Sequence, residues 1–207
     1  MKKLYLLRHG QTEFNVKKLV QGRCDSPLTD LGRQRAGAAA AWLKAHDVIP
    51  DKVVSSPLGR AMDTASLVAT ELLGPDAAVE PCEGIIERCY GAFEEGPHDA
   101  LPTDVWDPGE DLIPFGGEGS HALQERMVAT LTNLMRAKGK TLLAVSHGSA
   151  SRQFIKAAAP EGFELPTKLP NCAIMIFDFE ESAPQAEGEP LQCKFTLQQI
   201  IDPQQRY

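Results

Sequence analysis

Three short apolar runs, each ending on residues that carry chemistry, constrain this chain most. Lys3 to Leu7 stops at Arg8-His9-Gly10, Lys52 to Ser55 stops at Ser56-Pro57, and Thr141 to Val145 runs into Ser146-His147-Gly148. Runs of this length suit buried strands and are too short for core helices. The segments between them have helical character. Thr29 or Asp30 caps a helix predicted to reach about His46, rich in Ala and other good helix formers. Pro57 opens another that ends near Leu73. Ser120 caps a third, with Leu123, Met127, Leu131 and Leu134 at helical spacing, and a fourth follows His147 to about Ala158. Two C-terminal strands, Ala173 to Phe179 and Cys193 to Ile200, flank a polar Pro/Glu loop. Strands alternating with helices imply an α/β fold, a three-layer sandwich with a largely parallel central sheet and helices on both faces. Ligands of such sheets bind beyond the carboxyl ends of the strands. The order of elements therefore sends His9, Ser56, Arg60 and His147 to one edge.

The 207 residues, 43% of them apolar, can fill the core of one domain spanning 1–207. Residues 97–119 break the pattern with Pro97, Pro102, Pro108, Pro114 and several glycines, and read as a lid or insertion beside the site. No apolar run approaches the roughly 20 residues of a membrane helix. The apolar start is interrupted by Arg8 and His9, so a cytoplasmic protein with no membrane partner is expected. A net charge of −7 without a basic stretch argues against nucleic acid. The five cysteines, 24, 82, 89, 172 and 193, are odd in number and form no C-x-x-C pair. They predict neither a disulfide framework nor a cysteine zinc site. No phosphate-binding G-x-x-x-x-G-K-[ST] loop, G-x-S-x-G elbow or H-E-x-x-H helix is present. No cofactor and no metal are expected.

Leu7-Arg8-His9-Gly10-Gln11-Thr12-Glu13-Phe14-Asn15 resembles the Arg-His-Gly motif of the histidine phosphatase superfamily, which includes the cofactor-dependent phosphoglycerate mutases. Gln21-Gly22 with Asp25-Ser26-Pro27-Leu28-Thr29 is similar to the block that follows in that family. Ser55-Ser56-Pro57-Leu58-Gly59-Arg60-Ala61 with Thr64-Ala65 resembles its second-arginine block, and Glu87-Arg88-Cys89-Tyr90-Gly91 its acid block. Gly116-Gly117-Glu118 with Arg126, and Val145-Ser146-His147-Gly148 with Arg152, complete the order. One triplet is weak, whereas six blocks in order are specific. The resemblance covers nearly the whole chain and implies a phosphoglycerate mutase-like fold.

The implied site has a physical logic. A phosphomonoester dianion repels most nucleophiles, while neutral imidazole remains usable, so His9 is the candidate nucleophile. Arg8 and Arg60 would fork onto phosphate oxygens. His147 would donate a further hydrogen bond, and Glu87 would protonate the leaving oxygen and later help deprotonate water. Asn15, Gln21, Gly22 and Gly148 would line the pocket, and Arg88 could hold a second anionic group. Asn171 and Arg152 read as structural, and His46, His98 and His121 as surface residues. Glu94 and Glu95 compete with Glu87 for the acid role. The reaction implied is metal-independent hydrolysis of a small phosphorylated metabolite through phosphohistidine. Between Arg88 and Arg126 there is no Lys or Arg and many acids, which at a pocket mouth would disfavour a polyanion. That favours a phosphatase over a mutase, with a neutral or cationic leaving group that uses Phe93, Trp106 or Phe115. A phosphoglycerate mutase and a non-catalytic phospho-ligand module are the alternatives, and a homodimer is an open expectation.

Overall fold

A computed structural model describes residues 1–137, 139–160, 162–182 and 192–205. The polar Pro/Glu loop of the sequence reading lies in 183–191, outside the described residues. Six strands form one sheet in the order β3-β2-β4-β1-β5-β6: β1 is Lys2–Arg8, β2 Lys52–Ser55, β3 Glu80–Pro81, β4 Thr141–Ser146, β5 Ile174–Ser182 and β6 Gln192–Ile201. The first four positions pair in parallel, and the two C-terminal strands add on antiparallel. Strand β3 was not expected, because its two residues carry no hydrophobic pattern.

Side-chain alternation along the strands feeds two cores. Leu4, Leu6, Leu142 and Ala144 face Leu123, Met127 and Leu131 of α4 (Ser120–Arg136) and Ala150 and Phe154 of α5 (Gly148–Ala158). Tyr5, Leu7, Leu143 and Val145 face Ala36, Ala40 and Leu43 of α2 (Asp30–Ala45) and Ala65 and Val68 of α3 (Gly59–Leu73). Every second residue thus packs against a different helix layer, the signature of a sheet covered on both sides. Fully burying one such leucine stabilises the fold by about 2 kcal/mol.

Helix starts follow local chemistry, with two departures from expectation. Thr29 Oγ1 accepts from Gly32 N at 3.0 Å and caps α2. Pro57 lies outside α3, whose cap is Leu58. Ser120 does not cap α4; Gly119 holds that position, and the Ser120 hydroxyl is engaged by Arg88 Nη2 at 2.8 Å. The sequence reading missed the short helix α1 (Glu13–Lys17), although Thr12 and Asn15 form a reciprocal capping box there.

Helix α2 touches the Arg8-His9-Gly10 turn closely through Gly32. A Cβ on Gly32 would lie 2.1 Å from the Gln11 carbonyl oxygen, a backbone atom that cannot swing aside. Gly32→Ala is therefore expected to cost about 1–3 kcal/mol. Urea unfolding checks this, and an unchanged midpoint would show that the turn gives way freely.

Candidate active site

Register builds the site. Arg8 pairs with Ser146 across β1 and β4, and Ser55 pairs with Val145 across β2 and β4. His9, His147 and Ser56 therefore leave three neighbouring strands abreast. The two imidazole rings lie 5.1 Å apart, centroid to centroid. Ser56 Oγ sits 2.7 Å from His147 Nε2. Arg60 enters from the first turn of α3, next to β2. Arg8, His9, Asn15, Gln21, Gly22, Arg60, Glu87 and Gly148 line a common cavity. His147 is fully buried behind His9.

The hydrogen bonds of His9 fix its chemistry. Nδ1 lies 2.7 Å from the Gly10 carbonyl oxygen. A carbonyl only accepts, so Nδ1 carries the proton and Nε2 holds the lone pair. The backbone behind the ring is held as well: Asn171 Nδ2 donates to the His9 carbonyl at 3.2 Å, as does Cys172 N at 3.3 Å. Asn171 also donates to Asn15 Oδ1 at 3.2 Å, so it tethers the loop rather than meeting ligand. Arg152 donates to the Pro166 and Thr167 carbonyls, again away from the cavity.

Both site histidines are driven toward the neutral form. Burial first, then the Arg60 and Arg8 charges, hold His9 well below the ordinary histidine pKa. Burial, Arg60, His9 and Arg8 do the same for His147. In an unfolded chain both would take up protons near pH 6.5. Folding strength contributed by these rings is therefore complete above that pH and lost as pH falls below it. The expected loss is about 1.4 kcal/mol per pH unit for each ring, until its folded pKa is reached. Unfolding in phosphate-free buffer between pH 6.5 and 5 tests this against a His9→Gln, His147→Gln double variant. Equal slopes for the two proteins would show that the rings titrate normally.

The arginines are committed differently from the bidentate forks expected of them. Arg60 Nη1 donates to the Cys24 carbonyl at 2.7 Å and Asp25 Oδ1 at 3.2 Å, and Nη2 to the Gly22 carbonyl at 2.7 Å. Arg8 Nη1 donates to the Leu169 carbonyl. Each guanidinium keeps a buried Nε with no hydrogen-bond partner, and His147 Nδ1 is in the same condition. Buried polar atoms are rarely left so, and two of these belong to arginines that line the cavity, which fits an oxyanion.

Of the three candidate acids, Glu87 alone is among the cavity's described lining residues. It lines the cavity, with Oε1 accepting from Arg88 N at 2.8 Å and Ala150 N at 2.9 Å, and Oε2 from Ser149 N at 3.2 Å. Arg126 braces the preceding residues by donating to the Gly84 and Ile86 carbonyls at 3.0 and 3.1 Å. Glu94 instead staples the turn behind Gly22, accepting from Arg23 N and Tyr90 N at 3.0 Å each. Glu95 is exposed.

Four other expectations need correction. Arg88 does not reach the cavity; it is fully buried, and its guanidinium nitrogens donate to protein acceptors. The acids of 94–118 do not surround the mouth. Asp107 pairs with Lys156 at 2.5 Å, Glu118 with Arg126 at 2.8 Å, and Glu110 accepts from His121 N at 2.9 Å. Of the three aromatics, only Trp106 lines the cavity, whereas Phe93 and Phe115 pack on each other at 4.9 Å. His98 is no surface residue: it lines the cavity and donates through Nε2 to the Leu19 carbonyl at 3.2 Å.

The residues missed by sequence reasoning are Leu19, Val20 and Val105, which with Trp106 make the cavity's apolar wall. They come from loops without a periodic pattern. Trp106 lies 5.3 Å from the Arg8 guanidinium on one side, and Lys168 Nζ lies 5.9 Å from its ring. Residues 97–119 dock at this rim, with Leu101 and Leu112 packed against Val20 and Tyr90. Among the described residues, no cluster of three His, Cys, Asp or Glu side chains is placed to hold a metal ion, and no helix is long and apolar enough to cross a membrane.

Known proteins resemble this chain in sequence and in fold. The family model of the histidine phosphatase superfamily (branch 1) matches residues 4–189. A probable phosphoglycerate mutase, GpmB, of Escherichia fergusonii is 32% identical over 199 residues, covering 91% of this chain and 90% of its own. A phosphoserine phosphatase variant from Entamoeba histolytica, in complex with phosphoserine, superposes with a TM-score of 0.73 at 27% identity, covering 99% and 98% of the two chains. A mycobacterial glucosyl-3-phosphoglycerate phosphatase in complex with VO3 shares the fold, with a TM-score of 0.76 at 24% identity over 96% and 98%.

Proposed function

The chain belongs to the histidine phosphatase superfamily, whose members here are phosphoryl-transfer enzymes, and from that premise we propose that it hydrolyses a small phosphomonoester through a phosphohistidine on His9. The observation that carries this reading is the Nδ1 bond to Gly10, which leaves Nε2 as the ring's nucleophilic lone pair.

In the first step Nε2 forms a bond to phosphorus while the ester P–O bond breaks. The electron pair leaves on the alcohol oxygen, which Glu87 protonates. The Gly10 carbonyl accepts from Nδ1–H and stabilises the positive charge growing on the ring. The unpartnered Nε atoms of Arg8 and Arg60 meet the spreading charge of the equatorial oxygens, with His147 beside them. In the second step water attacks phosphorus, its proton passes to Glu87, and the N–P electron pair returns to Nε2. Asn15, Gln21 and the Gly22 and Gly148 backbones shape the phosphoryl end of the cavity.

Hydrolysis is favoured over mutase chemistry by the rest of the wall. A mutase substrate carries a carboxylate as well as phosphate, yet Arg8 and Arg60 are the only Lys or Arg side chains among the described cavity-lining residues. Arg88, the residue best placed in sequence to hold a second anion, is engaged elsewhere. The resemblance to the GpmB relative keeps mutase activity as the second reading. One experiment separates the two: supply p-nitrophenyl phosphate, alkyl phosphomonoesters, or 3-phosphoglycerate primed with the bisphosphate. Phosphate release with an acid-labile, base-stable phosphoenzyme is expected. Formation of 2-phosphoglycerate outrunning phosphate release would establish the mutase instead.

A further inference from the structure

Arg88 has no side-chain accessibility, and the proposed mechanism does not use it. A buried guanidinium is costly unless its N–H groups are matched, and here they reach four acceptors. Nε donates to Ser149 Oγ at 2.9 Å. Nη1 donates to the Glu118 carbonyl at 2.9 Å and the Gly109 carbonyl at 3.3 Å, and Nη2 to Ser120 Oγ at 2.8 Å. The main chain of the same residue donates to Glu87 Oε1 at 2.8 Å, and the Ser149 main chain to Glu87 Oε2 at 3.2 Å. A closed ring results. The Glu87 carboxylate is gripped by the amides of 88 and 149, and the side chains of those two residues are bonded to each other. Gly109, Glu118 and Ser120 attach this ring to the end of the segment that carries Trp106.

We propose that Arg88 is a positioning residue for Glu87, aligning its carboxyl with the leaving oxygen and making that alignment depend on the docked 97–119 segment. The proposal rests on the hydrolytic reading above. Lysine cannot replace the guanidinium, because one ammonium cannot reach acceptors spread over Ser149, Glu118 and Ser120 at once.

The test exploits the leaving group. p-Nitrophenolate departs without a proton, whereas an alkoxide requires one. A misaligned acid therefore slows alkyl esters selectively. In Arg88→Gln, kcat/KM, which reports only the phosphorylation step, is expected to fall about 100-fold for glycerol phosphate, the scale of a lost general acid, and less than about 5-fold for p-nitrophenyl phosphate, while hydrolysis of the phosphoenzyme slows equally for both. Glu87→Gln is expected to show the same selectivity. Ser149→Ala opens the ring at its other end and provides a milder variant should Arg88→Gln fold poorly; a selective loss of about 5- to 10-fold is expected. Equal losses of kcat/KM on both substrates, measured on folded protein, would reduce Arg88 to a structural brace. A raised KM with unchanged kcat would make it a substrate ligand. Either result overturns the proposal. Absence of phosphate release from the unaltered protein is a different failure, that of the hydrolytic reading itself.

Discussion

His9→Ala is expected to lower phosphate release by about 10⁴-fold or more and to abolish the acid-labile phosphoenzyme. The size follows from what is removed. His9 Nε2 is the lone pair that the hydrolytic reading uses, whereas Glu87 is clamped by three amides and His147 Nε2 meets Ser56. Binding is expected to survive, because the Arg8 and Arg60 donors are untouched. Phosphate affinity, read by calorimetry, should change less than about 10-fold, which is the mark of an interaction lost mainly in the transition state. Substantial turnover by this variant would end the phosphohistidine mechanism.

Arg60→Lys is the second large effect. The charge is kept, so any loss reports geometry. The guanidinium closes the 22–25 turn through the Gly22 and Cys24 carbonyls and Asp25, while its Nε is left buried without a partner and the residue lines the cavity. A lysine can satisfy only part of that set. Leaving one carbonyl buried without a donor costs about 1–3 kcal/mol, and losing one preorganised donor costs about 10²–10³ in rate. A fall of that size in kcat/KM together with a lowered melting temperature is expected. Full turnover with only the melting temperature lowered would restrict Arg60 to holding the turn.

Much of this was legible because strands of buried parallel sheets announce themselves. Val53-Val54 and Leu142 to Val145 are short apolar runs, and the strands around them appear where the pattern puts them. The chemistry at their ends was legible for the same reason: a strand exit followed by a helix is where such a sheet presents ligands to solvent. Arg88 and Arg60 were misjudged because a guanidinium's role depends on which acceptors surround it. Its spacing from Glu87 or Pro57 contains no trace of the Glu118 carbonyl or the Cys24 carbonyl. The acidic stretch misled in the same way, since Asp107 and Glu118 meet their cations only after folding.

The order of residues by itself determined the layered α/β architecture and the two imidazoles and Arg8 at strand ends, features that follow from periodicity and local bonding, whose range is a few residues. Arg60 and Glu87 stood out through the resemblance of their blocks to a known family. Only the tertiary structure decided which nitrogen of His9 holds the lone pair, which guanidinium edges stay unpartnered, and that Arg88 bonds to Ser149, Glu118 and Ser120 instead of facing the cavity. Each of these depends on hydrogen-bond partners distant along the chain, and only the closed sheet and its docked loops bring those partners within 3 Å or so of one another.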